Sequence, residues 1–263
     1  MSANPNRREI FERERRWHEQ EAHRRSSLNQ LLYAPPAFDQ IVQSGLSFLE
    51  VQPGERVLDI ACGEGKETLE LARRGLHVVA VDLSLTPIIQ ARKLVNDHHM
   101  GARVFFIQAN AEEMPFVAHS FRVVHGKAIL HHLNLGMASR ELKRILRPNG
   151  RAVFSEPLHH HPLFRLARQL TPQLRTRDEH PLPLKELLDF AKTFPKWHTS
   201  VYFLLTPLAY GLRLLPGGEK LYRSAHLWLQ HLDSWLFERI RFLRKFAWYG
   251  TAYVQVGEER EIG

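Results

Sequence analysis

With 263 residues, 44% of them apolar and 24% charged, the chain has enough apolar side chain for one substantial core or two modest ones, which excludes a disordered or fibrous protein. Lys and Arg outnumber Asp and Glu by 36 to 28, and the resulting net charge of +8 favours an anionic partner such as nucleic acid, a phosphorylated metabolite or an acidic membrane surface. The single cysteine, Cys62, excludes an internal disulfide framework, a Cys-based zinc site and a Cys-ligated iron–sulfur cluster, and it fits a reducing, cytoplasmic setting.

In chain order, residues 7–32 mix Arg, Glu and His with a few apolar residues, which predicts a solvated helix broken at Pro35 and Pro36. That segment lacks the apolar stretch of a signal peptide. From Gly54 to Glu156 short apolar runs alternate with helical periods. "RVLDIA", "HVVAVD", "RVFFIQA", "FRVVHG" and "RAVFSE" read as strands; "KETLELARRG", "TPIIQARKLVNDHH" and "ASRELKRILRPNG" read as helices between them. Such alternation predicts βαβ units with right-handed crossovers and a parallel sheet. Gly75, Gly101 and the "RPNG" segment supply the helix stops.

Beyond Glu156 the alternation ends. "PLFRLARQL" and part of "RTRDEHPLPLKELLDFAKTF" read as helical and "WHTSVYFLL" as a strand. The greasy stretch 201–215 is too short for a bilayer and contains Pro207, Gly211 and Arg213. Residues 220–246 place apolar side chains at three- and four-residue steps, predicting one long amphipathic helix, and "WYGTAYVQVG" reads as a last strand. The expected organisation is an N-terminal helical cap over 1–45, an α/β core over 46–157, and substrate-side helices with the last two strands over 158–263.

The sharpest signal is "RVLDIACGEGKETLELARRG" followed by "HVVAVDLS". Gly63 and Gly65 fall where a strand turns into a helix, so the backbone can approach a ligand and offer it N–H groups. Asp82 ends the next strand, 17 residues past Gly65, where an acid accepts hydrogen bonds from ribose hydroxyls. A pyrophosphate fingerprint would need a third glycine where Thr68 stands, and Asp59 and Glu64 make the ligand side acidic. Carboxylates suit a cationic ligand that contains a nucleoside.

At these residues the chain resembles the class I S-adenosylmethionine-dependent methyltransferases, in their small-molecule branch. "LDIACGEG", "VVAVDLS", "IQANAEEMPF", "FRVVHGKAILHHL" and "LKRILRPNGRAVFSEP" recur in the family's order, from about Val57 to Pro157. The resemblance implies a doubly wound, mostly parallel seven-stranded sheet with an antiparallel final pair, and a helical insertion before the last strand. It also implies S-adenosylmethionine as cofactor. Asp59, Cys62, Gly63 and Gly65 would line its methionine part, Asp82 its ribose, Asn110 and Ala111 its adenine, and the Gly126 carbonyl its ammonium, with Leu83 also in the cofactor-binding set. Three positions depart from the pattern: Ala61 for a glycine, Asn110 for an aspartate and Arg122 for an aspartate.

Methyl transfer is an in-line displacement from an activated sulfonium, so the protein mainly aims the acceptor and, for a hydroxyl, removes its proton. His131, Glu156 and His180 are the candidate catalytic residues; capping or packing is the plainer role for His131 and His132. His159, His160 and His161 read as a solvated loop, and no metal site is expected. Arg175 and Arg177 offer a grip for an anionic group on the acceptor, against the plainer reading of a loop held by its own ion pairs. No cysteine is left for covalent cytosine methylation, and no Asn/Asp-Pro-Pro-aromatic motif supports adenine methylation. The aromatic C-terminal third, with Arg239, Arg241, Arg244 and Lys245 at one helix end, points to a small hydrophobic or lipid-like acceptor. It also points to peripheral membrane contact, against the plainer reading of Trp and Leu at helical spacing packed into a core. RNA methylation and a non-catalytic cofactor-binding role are the alternatives.

Overall fold

The structure is a computed structural model that describes residues 37–170 and 182–258, together with Glu9, Glu12, Arg13, Arg15 and Arg16. Those five residues are helical, and Arg16 reaches Glu12 at 3.3 Å; the rest of the expected N-terminal helix lies outside the described residues. Seven strands form one sheet: β1 (Arg56–Ile60), β2 (His77–Asp82), β3 (Val104–Gln108), β4 (Phe121–Lys127), β5 (Leu146–Pro157), β6 (Lys196–Tyr202) and β7 (Tyr249–Gln255). Their order is β3-β2-β1-β4-β5-β7-β6. Pairing is parallel as far as β5, and β7 runs antiparallel to both β5 and β6.

The helices are α1 (Ala37–Leu49), α2 (Lys66–Arg73), α3 (Leu85–Asp97), α4 (Leu135–Ile145), α5 (Pro162–Leu170), α6 (Leu184–Lys192) and α7 (Glu219–Arg239). They cover both faces of the sheet, because successive strand residues point to opposite sides. Val57, Val123, Val153 and Tyr253 pack with Val42 and Leu46 of α1 and Leu71 of α2. Their neighbours Leu58, Val124, Ala152 and Val254 face the other way, against Leu142 of α4 and Phe190 of α6. Two buried faces explain why these strands read as continuous apolar runs rather than as alternation. Helix α1 spans residues 45 and 46, so the expected boundary there falls inside an element of the core.

Two expectations need correction. The 220–246 segment is not one helix: α7 ends at Arg239, Ile240 leaves helical geometry at φ −125° and ψ 79°, and Arg241–Phe246 is a tighter 3-10 turn. Apolar spacing persists through the break, because three- and four-residue steps suit both helix types. In "RPNG" the helix has already ended: Leu146 pairs with Phe121, and the register shifts before Val123. Asn149 makes the turn at φ 58°, a conformation asparagine tolerates.

The strand order reverses between β1 and β4. Chain leaves β1 toward β2 and β3, then returns to β4 on the other side, so the connections after β1 and β4 diverge at their carboxyl ends. Open α/β sheets bind ligands in that crevice.

Candidate active site

The glycine loop follows β1 at this crevice. Ala61, Gly63 and Gly65 all have left-handed backbone, at φ 58°, 50° and 84°. For the two glycines that conformation is cheap, while at Ala61 the Cβ makes it strained. The two glycines serve different ends. A Cβ on Gly63 would meet nothing within 4 Å, so this residue borders open space. On Gly65 it would lie 2.7 Å from Ala91 Cβ and 2.8 Å from Ala91 Cα, so this glycine lets α2 start against α3.

Asp82 ends β2 and braces the loop: its Oδ2 accepts from the Gly63 N–H at 2.9 Å and its Oδ1 from the Ser84 N–H at 2.9 Å. Burial raises its pKa above the ordinary carboxylate value, partly offset by those two amides, and the charge of Asp59 pushes the same way. Leu83 follows on the same edge, its carbonyl accepting from the Gln108 side chain.

Other residues of the expected cofactor set lie beneath the loop. The Asp59 carboxylate is buried and accepts from Thr68 Oγ1 at 2.6 Å, with His125 Nδ1 at 2.8 Å on its other oxygen. It braces the loop from inside the sheet, between α2 and β4. Cys62 also turns inward, into the cluster formed with α1, α2 and α3. Burial, with the nearby Asp82 and Asp59 charges, pushes its thiol pKa far up, so it stays protonated. Asn110 lies past the end of β3, but its side-chain oxygen accepts from the Glu112 N–H at 3.0 Å, closing a turn, and Ala111 packs against the core beside it. Gly126 is small for a packing reason: a Cβ there would sit 2.5 Å from the Phe154 ring.

A carboxylate–imidazole pair stands at the ends of β4 and β5. Glu156 is fully buried. Its Oε1 accepts from the Ile129 and Leu130 N–H groups at 2.8 and 2.9 Å, and its Oε2 lies 2.7 Å from His131 Nδ1. The turn after β4, with Ala128 at φ 52°, brings those donors round to β5. His132 lies against the His131 ring, with centroids 4.1 Å apart. Two of the three expected catalytic residues thus meet; His180 lies outside the described residues, as do Arg175 and Arg177.

The sequence reading missed a second pair. Lys127 Nζ, at the end of β4, reaches Glu67 Oε1 in the first turn of α2 at 2.7 Å. Burial opposes ionisation of Glu67, yet Lys127, aided by His125, holds its pKa below the ordinary value; burial lowers Lys127, which Glu67 only partly offsets. Glu67 follows the GEGK segment by one residue, but nothing local in the sequence shows that β4 ends opposite it. Asp233 of α7 was also missed: its carboxylate accepts from the backbone of Leu204, Leu205 and Thr206 and from Thr206 Oγ1, tying α7 to the segment after β6. Of the three consecutive histidines, His161 is buried with Nε2 2.9 Å from the Leu204 carbonyl oxygen, against the expected solvated loop. Among the described residues no group of three or more His, Cys, Asp or Glu suits a metal ion.

Arg122, one of the family departures, sits at the opposite end of the sheet, where Nε donates to Glu55 Oε1 at 2.9 Å. It has no bearing on the crevice.

Residues 58–154 match the family model described as a methyltransferase domain. The ubiquinone/menaquinone biosynthesis C-methyltransferase UbiE of Hahella chejuensis is 37% identical over 114 residues, covering 41% of this chain and 46% of that protein. Methyltransferase GfsG of Streptomyces halstedii is 30% identical over 131 residues, covering 46% of this chain and 47% of that protein. Over its α/β core the chain is similar to the methyltransferase domains of the class I, S-adenosylmethionine-dependent fold. The chain spans about half the length of the curated relatives it matches. Among solved structures, phosphoethanolamine N-methyltransferase 2 of Haemonchus contortus, with S-adenosylhomocysteine, has a TM-score of 0.65 at 18% identity, covering 93% of this chain and 60% of that one. Geranyl diphosphate C-methyltransferase from Streptomyces coelicolor has a TM-score of 0.58 at 18% identity, covering 82% and 75%. These two likenesses are of fold.

The crevice fits the cofactor of such domains. Each Asp82 oxygen accepts one backbone N–H and retains a lone pair, which suits the two adjacent hydroxyls of a ribose. Open space at Gly63 leaves room for the chain that joins ribose to methionine.

Proposed function

We propose that the whole chain is an S-adenosylmethionine-dependent methyltransferase whose acceptor is a small, hydrophobic or lipid-like molecule with an ionisable proton on its nucleophilic atom. The observation that carries this reading is the His131–Glu156 pair at the carboxyl edge of the sheet. With Nδ1 facing a buried carboxylate, the imidazole proton belongs on Nδ1 and Nε2 is the basic nitrogen. Two backbone N–H groups fix the Glu156 carboxyl group in the position that enforces this tautomer. His131 then takes the acceptor's proton as the new bond forms, and Glu156 steadies the imidazolium. S-adenosylmethionine supplies the activated methyl group.

An apolar acceptor is supported by what surrounds this edge. Phe203, Trp248 and Tyr249 cluster with Phe164, Tyr202 and Tyr210 where β6 ends and β7 begins. Tyr249 pairs with Pro157, directly after Glu156. Among the relatives, UbiE is named for ubiquinone and menaquinone biosynthesis, and one structural neighbour is solved with geranyl diphosphate.

The test is to incubate the protein with methyl-labelled S-adenosylmethionine and fractionated hydrophobic extracts. Label should move to a small organic-soluble product, and His131→Gln should abolish transfer while leaving calorimetric cofactor binding intact. Cofactor binding with no transfer to any fraction would overturn the enzymatic reading in favour of a binding protein. Label appearing in RNA instead would overturn the acceptor class.

A further inference from the structure

Helix α7 buries one side and shows a greasy stripe on the other. Tyr222, His226, Asp233 and Phe237 face the protein. Leu221, Trp228 and Trp235 recur at every seventh residue, so they share one stripe, and they are 53%, 66% and 52% exposed. Leu227 lies beside the stripe, and Phe242, in the turn after the helix, is 62% exposed. Large aromatic rings left in water at a fixed helical spacing mark an interaction surface rather than scattered surface apolars.

The charges around the stripe narrow its partner. The guanidinium of Arg239 lies 5.9 Å from the Trp235 ring, and Lys245 Nζ lies 5.9 Å from the Phe242 ring and 4.8 Å from that of Phe246. Arg241 is exposed between them. The stretch 219–246 carries six Lys and Arg against three acids. Of the acids, Asp233 is buried and engaged with backbone amides, Glu219 faces Arg213 and Arg223, and Glu238 is exposed, so the surface keeps a positive excess. A second copy of this chain would bring the same positive charge against it. No helix among the described residues is long and apolar enough to cross a membrane, so the surface is of the kind that lies on one.

We propose that the Leu221–Trp228–Trp235 stripe and the Arg241–Phe246 turn dock on an anionic lipid bilayer, with the tryptophans at headgroup level and the basic residues among the headgroups. The inference rests on this surface and not on the acceptor reading.

Vesicle co-sedimentation of the full chain tests it, with phosphatidylglycerol-containing and pure phosphatidylcholine vesicles at low and high salt. Binding should require the anionic lipid, fall with salt, and shift tryptophan emission to the blue. Trp228→Ser with Trp235→Ser should remove both binding and the shift, and Arg241→Gln with Lys245→Gln should weaken binding by about five-fold per residue. Unchanged thermal unfolding and cofactor affinity in these surface variants would show that fold and active site are intact. Absence of binding to anionic vesicles at low salt would overturn the proposal. So would binding that survives the tryptophan substitutions. Light scattering that shows a dimer broken by those substitutions, without vesicle binding, would instead assign the stripe to a second copy.

Discussion

Substituting Glu156→Gln separates the charge of the buried carboxylate from its shape. Glu156 accepts three hydrogen bonds, from the Ile129 and Leu130 amides and His131. Hydrogen bonds to a charged group contribute about 1.5–3 kcal/mol, against about 1 kcal/mol for neutral ones. The amide side chain costs less to bury, which offsets part of that difference. The net destabilisation is then about 1–2 kcal/mol, or a fall of roughly 2–8 °C in Tm for a chain of this size. Activity should change far more. If the glutamine oxygen keeps the two backbone amides, its NH2 faces Nδ1, which becomes an acceptor and moves the ring proton to Nε2. General-base catalysis is then lost, a drop of about 100- to 10,000-fold in kcat. Nitrogen NMR of the His131 ring reads the tautomer without any acceptor, calorimetry checks that cofactor binding persists, and methyl transfer gives kcat. An unchanged tautomer, or unchanged kcat with the cofactor bound, would refute the reasoning.

The loop glycines should part company: Gly63→Ala should cost about 1–2 kcal/mol of stability and weaken cofactor binding, whereas Gly65→Ala should cost about 3 kcal/mol because α3 stands in the way. Chemical denaturation beside calorimetry distinguishes them, and equal stability losses would contradict the assigned roles. Ala61→Gly should raise stability by about 0.5–1 kcal/mol, left-handed strain relieved less backbone entropy gained by the unfolded chain, and a fall in the denaturation midpoint would count against that strain. Lys127→Met should cost about 3–5 kcal/mol by stranding Glu67, and adding Glu67→Leu should restore most of it; a double variant no more stable than the single one would reject the pairing. Burial lowers the pKa of His226 and His161 below 6.5, so each is neutral when folded while the unfolded chain takes up a proton. Their contribution is complete above pH 6.5 and lost as pH falls below it, each by at most about 1.4 kcal/mol per pH unit. His226→Phe should flatten the fall of Tm between neutral and mildly acidic pH, and an identical pH profile would refute this.

Much of the α/β core was legible because its signals are local. The apolar runs of β1, β2 and β4 fall within a residue of their structural bounds, and turn glycines mark where the backbone must go left-handed. The resemblance added the final antiparallel pair, which spacing alone could not place. His131 and Glu156 were singled out separately, from their positions after strands. The break at Ile240 was hidden because the apolar period runs through it.

What the sequence determined by itself is therefore the class of fold, the glycine loop and the acid at the end of β2, since each depends on neighbours a few residues away. What only the tertiary structure decided is which side chains share a place. Asp59 and Cys62 belong beneath the loop, Lys127 meets Glu67 across 60 residues, and His131 meets Glu156 across 25. Strand order sets those meetings, and a buried charge survives only where the sheet supplies it a partner.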